Sequence, residues 1–252
     1  GGLLAAISIR APFFVYAGAL AVAGAIAMLF LSRAPIHEPP AAGQPAGSGR
    51  ADERVSLRGA LRHPAYRAAL TASLGTGWVF FGVRTAVIPL FVVAVLGRDP
   101  FWIGVGFAVV SGVQALTMLP AGTLVDVHGR RPGMVGGAVL AAVSMGMLAV
   151  SDSLLLYLGS MVLLGMGASV LSVAPGAVVG DVTGGRSGTV VAAYQMARDF
   201  GTVAGPLAAG ALAEQISYGA AFATSAAIMV LAAVMSLGTQ ETASARSPNR
   251  SR

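Results

Sequence analysis

The sequence contains no cysteine and no lysine, and charged residues make up only 10% of it. Without cysteine there can be no disulfide bond, no thiolate metal site and no cysteine nucleophile, and the redox compartment stays undetermined. All 16 basic residues are arginines, against ten acidic residues, which gives a formal net charge of +6 at pH 7. Such a charge on a soluble protein would suggest nucleic acid as a partner.

Apolar residues dominate the chain instead. Of its 252 residues, 56% are hydrophobic and 34 are glycine, and the mean hydropathy is +0.77. A soluble domain of this length is not so apolar. The composition therefore predicts a multi-pass membrane protein, and because the arginines cluster in the hydrophilic breaks, nucleic-acid binding is not indicated.

Seven apolar segments are each long enough for a transmembrane helix, which needs about 20 residues. They lie at 11–31, 65–96, 101–120, 132–150, 154–174, 188–212 and 218–238. The sequence predicts an all-α fold, a polytopic transmembrane helical bundle with seven spans. We expect one helix in 1–32, a linker in 33–63, a six-helix unit in 64–239 and a tail in 240–252.

The arginines indicate how the bundle is oriented. Twelve fall in breaks on one side, at 33, 50, 54, 58, 62, 67, 130, 131, 186, 246, 250 and 252. Two fall on the other side, at 10 and 98, and two lie within spans, at 84 and 198. Because arginine is retained on the cytoplasmic side, we expect a multi-pass protein of the inner (plasma) membrane with a cytoplasmic C-terminus.

The linker predicted at 33–63 combines two compositions. Its first part is rich in Pro, Ala, Gly and Gln, which cannot bury enough apolar surface to order itself. Arg54, Arg58 and Arg62 then recur at every fourth position. They predict either a short helix with its arginines among lipid headgroups or a solvated loop.

A short polar stretch at 120–132 is the most specific motif. It reads as a tight loop in which Gly122 allows two helices to approach closely, Gly129 takes a positive φ and Asp126 pairs with Arg130. The stretch reads Gly122-x-Leu124-x-Asp126-x-x-Gly129-Arg130-Arg131. This pattern resembles the signature between paired helices of the major facilitator superfamily, a large group of secondary transporters. The resemblance implies that Gly122, Asp126, Gly129, Arg130 and Arg131 form a gating loop.

A second pattern agrees with the same family. Gly201, Gly205, Pro206 and Gly210, preceded by Asp199, resemble the family's eleventh helix. The glycines predict close helix packing, and Pro206 predicts a kink. By this resemblance the chain runs from about the sixth to the twelfth helix, so it would begin in mid-protein and an N-terminal half would be missing.

Charged residues within the spans are candidates for the transport pathway, because burying a charge in lipid costs at least about 2.5 kcal/mol. Arg84, Arg198 and Asp199 are the ones present. Counted from the outer ends of their spans, Arg84 and Asp199 share a depth, so we expect an intramembrane ion pair between them. The predicted polar or stacking neighbours are Gln195, Tyr194, Gln114 and Trp78.

The function implied by the resemblance is secondary active transport of a small molecule by alternating access. The expected form is proton-coupled efflux of a drug or metabolite; an ion-coupled uptake symporter and a non-transporting receptor or scaffold are the alternatives. An enzyme is not expected, because Ser169 has no histidine at membrane depth to activate it. No cofactor and no metal site are predicted. Expected partners are the substrate, a proton, membrane lipid and the missing half.

Overall fold

The computed structural model describes residues 17, 18, 21, 22, 25 and 28, then 56–184 and 187–239. The six scattered positions are helical and belong to a unit formed by 1–53. Apart from these six positions, the predictions for the first span, the early linker and the tail at 240–252 lie outside the described residues. All packing described below is within the second unit, 54–252.

Seven helices form the described part of this unit, and it contains no strand. A short helix, α1, begins it, and six long helices follow. Their bounds are α1 Leu57–Arg62, α2 Pro64–Ala94, α3 Phe101–His128, α4 Arg130–Ala149, α5 Leu154–Thr183, α6 Gly188–Gln215 and α7 Tyr218–Leu237. The all-α bundle predicted from the sequence is confirmed.

Five of the described helices are long and apolar enough to cross a membrane, namely α2, α3, α4, α5 and α7. Helix α6 is equally long but falls outside this group. The reason is its polar content, since Gln195, Arg198 and Asp199 follow one another near its middle. The sequence predicted a transmembrane span over 188–212; a helix lies there, but because of its polar middle it is not among the five candidate spans.

Two helices continue past the prolines at which the sequence predicted their ends. Helix α3 was expected to end at Pro120 and reaches His128, and α5 was expected to end at 174 and reaches Thr183. Pro120 and Pro175 both lie inside these helices. Apolar periodicity marks only the lipid-facing part of a helix, so it misses turns that continue beyond the hydrocarbon layer.

Helix α2 is not uniform along its length. It is α-helical over Pro64–Thr76, π-helical over Gly77–Val83 and α-helical again over Arg84–Ala94. A π-helix has wider turns, closed by i→i+5 hydrogen bonds, and often occurs at functional sites. The wide turns include Trp78 and lie directly before Arg84.

The bundle core combines many buried alanines with large buried side chains such as Tyr157 and Phe222. Helix α4 packs against α5 and α7, α5 also packs against α3, and α2 packs against α6 and α7. Buried serine and tyrosine hydroxyls bond to backbone carbonyls across these contacts: Ser144 to Ser160 at 2.8 Å and Tyr66 to Val190 at 2.8 Å. Each such bond between membrane helices contributes about 0.6 kcal/mol on average.

The closest helix contact is between α2 and α6. A Cβ added at Gly201 would collide with the carbonyl oxygen of Leu74 and lie 2.8 Å from the amide nitrogen of Trp78. A Cβ at Gly77 would likewise collide with the carbonyl of Arg198. The two backbones therefore touch, and only glycine fits at these positions.

The glycines predicted to pack closely differ in outcome. Gly201 and Gly205 do so, and a Cβ at Gly205 would lie 2.8 Å from the carbonyl oxygen of Trp78. Gly210 and Gly122 do not, because a Cβ at either would meet nothing within 4 Å. At the loop motif the close approach occurs instead at Gly133, where a Cβ would lie 2.8 Å from Val125.

Substituting alanine at Gly201 and at Gly210 tests this packing within one helix. We expect Gly201→Ala to destabilise the protein by about 1–3 kcal/mol, because the added methyl forces α2 and α6 apart. Gly210→Ala is the matched control and should be neutral or slightly stabilising, since alanine favours a helix over glycine. The measurement is thermal unfolding of the purified protein in detergent. Equal effects of the two substitutions would contradict the close contact.

Candidate functional site

Gly129 forms the whole connection between α3 and α4. Its φ is +103° and its ψ is 166°, a conformation that other residues adopt only with strain. The positive φ predicted from the sequence is confirmed, but the predicted loop is wrong, because the chain is helical up to His128 and again from Arg130. Asp126 therefore lies on the last turn of a helix.

Arg130 connects three helices at this end of the bundle. Its Nη1 bonds to Oδ1 of Asp126 at 2.6 Å, and its Nε bonds to Oδ2 of Asp181 at 3.3 Å. Asp126 ends α3, Arg130 begins α4, and Asp181 lies near the end of α5. The pair of Asp126 with Arg130 was predicted, whereas Asp181 lies beyond residue 174, where the sequence predicted that the span ends. We call Asp126, Arg130 and Asp181 the arginine clamp.

Arg131 contacts a fourth helix. Its Nη2 donates a hydrogen bond to the carbonyl of Leu237 at 2.6 Å, and Leu237 is the last residue of α7. A helix end carries unpaired carbonyls and a partial negative charge, both of which a guanidinium satisfies. The signature residues thus join the ends of α3, α4, α5 and α7.

The second candidate region lies in the middle of α2 and α6. Arg84 is half-buried, with its guanidinium carbon 5.7 Å from the ring centre of Phe107 on α3. Its Nε is buried and has no hydrogen-bond partner among the described residues. Phe107 was not predicted as a site residue, because one aromatic residue in an apolar span carries no distinctive pattern.

Arg198 is already engaged. Its Nη2 bonds to Oε1 of Gln195 at 2.6 Å, one turn away on α6. Its guanidinium carbon lies 6.0 Å from the ring centre of Phe81 on α2. Arg198 and Gln195, both predicted pathway residues, are therefore in contact.

The structure has no ion pair between Arg84 and Asp199 within the residues it describes. Helices α2 and α6 are neighbours, as the resemblance implied, but their register separates the two charges. Because Gly77 faces the carbonyl of Arg198, Asp199 lies at the level of Gly77. Arg84 is then about seven residues, or roughly 10 Å, further along the axis.

The direction of Asp199 also argues against the pair. Helix α6 buries Gly201 and Gly205 against α2, while Asp199 lies on the exposed side of the same helix. Successive residues on a helix are about 100° apart, so Asp199 and Gly201 face nearly opposite ways. The expectation of a common depth was wrong because the ends of the apolar segments do not give the register between two helices.

The remaining predicted pathway residues differ in what they contact. The indole Nε1 of Trp78 donates to Oγ of Ser225 on α7 at 3.0 Å, which fixes the ring between helices. The backbone carbonyl of Tyr194 accepts a bond from Ser73 at 2.9 Å, a packing contact. Gln114 is half-buried on α3, two turns from Phe107 and so on the same face.

A cavity of about 210 Å³ lies elsewhere, at the start of α2 and the end of α7. It is lined by Pro64, Arg67, Val234, Met235 and Gly238. None of the predicted pathway residues lines it. No group of three or more potential metal ligands occurs in the part of the chain that the structure describes.

A multi-pass membrane protein built as a helical bundle is the class that this fold and these charged positions define. The model of the Major Facilitator Superfamily matches residues 85–252, two thirds of the chain. The chain belongs to this superfamily of secondary transporters. No curated protein matches it.

The register of α2 and α6 makes a prediction about paired substitutions. Because Arg84 and Asp199 do not touch, the effects of Arg84→Ala and Asp199→Ala on thermal stability should add within about 0.3–0.5 kcal/mol in the double variant. Arg130→Ala with Asp181→Ala is the contrast, since these side chains are in contact and their effects should not add. Non-additive effects of the two substitutions would instead support an ion pair between Arg84 and Asp199.

Proposed function

We propose that this chain is part of a transporter that exports small organic molecules in exchange for protons. The observation that carries the proposal is the polar middle of α6. Gln195 and Asp199 are exposed on a helix that is fixed on α2 by backbone contact, and Arg198 bonds to Gln195. Polar groups at membrane depth normally face a water-filled cavity, so this side of α6 is proposed to line the pathway.

Asp199 is proposed to carry the coupled proton. It is exposed in the bundle and is the one carboxylate among the described residues near the middle of a long helix. Protonation would remove its negative charge and so change the field that the substrate meets beside Arg198.

The arginine clamp is proposed as the gate at the loop end. It holds α3, α4 and α5 together through one guanidinium, so separation of these helix ends must break the bonds to Asp126 or Asp181. Alternating access requires two arrangements of the helices around a fixed site. The clamp would stabilise the arrangement that is closed at this end.

The same proposal includes the placement of the protein. The arginine-rich side, with the clamp and the C-terminus, is proposed to be cytoplasmic and the membrane to be the bacterial inner membrane. A second group of helices, the expected N-terminal half, would complete the cavity opposite α6. The broad exposed face of α3, which includes Leu116 and Leu119, is available to lipid or to that half.

Transport in membrane vesicles tests the proposal. Everted vesicles containing the full-length protein would be offered an anionic, a neutral and a cationic fluorescent dye while a proton gradient is imposed. We expect at least one dye to accumulate, the accumulation to collapse with a proton ionophore, and Asp199→Asn to lose the dependence on the gradient. Accumulation in right-side-out vesicles only would instead indicate an uptake symporter. Absence of any gradient-driven movement would contradict transport.

Asp126→Asn tests the gate separately. The substitution weakens the clamp while leaving Asp181 in place, and the clamp is far from the middle of α6. We therefore expect a lower maximal rate of dye transport with little change in the half-saturating concentration. Asp152→Asn, which changes an exposed carboxylate at the other end of the bundle, is the control. A change in the half-saturating concentration alone would contradict gating.

A further inference from the structure

Arg84 is the charge in the bundle that the proposed proton and gate steps do not use. It stands in α2 immediately after the π-helical turns, at a depth where no described residue offers it a carboxylate. The guanidinium of Arg198 donates a hydrogen bond to the amide oxygen of Gln195, which carries no charge. With Asp199 as the single nearby acid, the middle of α2 and α6 carries one positive charge in excess.

The guanidinium of Arg84 has donors but no acceptors. Its Nε is buried and has no hydrogen-bond partner among the described residues. A buried donor left without an acceptor destabilises a protein, and the penalty is larger for a charged group. A persistent group of this kind therefore points to an acceptor that arrives from outside the described chain.

The contact with Phe107 leaves the donors of Arg84 free to act. The guanidinium carbon lies over the ring, 5.7 Å from its centre, and the attraction of a cation to an aromatic ring occupies no hydrogen-bond acceptor. The ring holds the side chain in place without using a hydrogen bond. The planar fork then matches the two oxygens of a carboxylate.

The surroundings add a polar and an apolar element. The ring of Phe107 gives an aromatic surface beside Arg84, and Gln114 follows Phe107 by two turns on the same face of α3. These neighbours suit a molecule with a flat apolar body and one charged group.

We infer that Arg84 is an anion-binding residue and that the transported molecules include organic carboxylates. The carboxylate of the substrate accepts hydrogen bonds from the guanidinium and supplies the missing counter-charge. This inference rests on the proposed transport function, because it names the substrate class of that pathway. It also assigns different tasks to the two separated charges, with the anion at Arg84 and the proton at Asp199.

Three probes of one shape and different charge test the inference: benzoate, benzamide and benzylamine. Their binding to the purified full-length protein would be measured by calorimetry. We expect benzoate to bind most tightly, and Arg84→Gln to weaken benzoate about ten-fold or more while leaving benzamide unchanged. Arg98→Gln, which changes an exposed arginine in the connection between α2 and α3, is the control and should bind benzoate like the wild type.

The stability of the variants identifies the competing explanation. If substrate supplies the counter-charge, Arg84→Gln without ligand should be at least as stable as the wild type. If a carboxylate elsewhere in the protein pairs with Arg84, the variant loses stability and benzoate does not bind, which overturns the inference. Should Arg84→Gln fail to fold, Arg84→Lys keeps the charge without the fork, and undiminished benzoate binding by it would overturn the fork geometry.

The inference and the proposed function can fail separately. If benzoate binds through Arg84 but no dye moves with the proton gradient, the anion site is supported and the proposed transport function is contradicted. If only the cationic dye moves with the gradient, and Arg84→Gln does not change this movement, transport is supported and the anion site is contradicted.

Discussion

The backbone contact between α2 and α6 determines most of what this bundle can do. Lipid offers no hydrophobic force to hold helices together, so close contact depends on residues that have no side chain. Gly77, Gly201 and Gly205 supply this contact. Once these residues face each other, the axial position and the direction of every other residue on both helices follow. The depth of Arg84 and the outward direction of Asp199 are consequences of that register.

The arginine clamp depends on a similar constraint at the loop end. Gly129 reverses the chain within a single residue, which brings the end of α3 against the start of α4. Arg130 can then reach Asp126, four residues before it in the sequence, and Asp181 on α5. An exposed ion pair by itself contributes little to stability. The ion pairs of Arg130 matter here because they link the ends of three helices, which can separate when these bonds break.

Much of this arrangement could be predicted from the sequence, and the parts that could not have a common cause. The helices, the positive φ of Gly129 and the pair of Asp126 with Arg130 depend on local patterns, which a sequence contains. The contact partner of Asp181, the ring beneath Arg84 and the separation of Arg84 from Asp199 depend on which helix faces stand together. Apolar segments have blurred ends, and an error of a few residues in an end becomes an error in depth between two helices. The close packing expected at Gly122 and found at Gly133 has the same origin, because a small residue does not specify the direction of its neighbour.

The π-helical turns at Gly77–Val83 determine the angular position of everything that follows them in α2. A helix closed by i→i+5 bonds rotates less per residue than an α-helix, so the residues beyond it are turned back relative to a regular continuation. Trp78 and Gly77 therefore face α6 and α7, whereas Arg84 is directed to α3. Tightening those turns into a regular helix would twist the outer half of α2 about its own axis and carry the guanidinium off the ring of Phe107. The π-helical residues Gly77–Val83 thus set the direction of Arg84. A rotation of the outer half of α2 at these turns would release a molecule bound to the guanidinium.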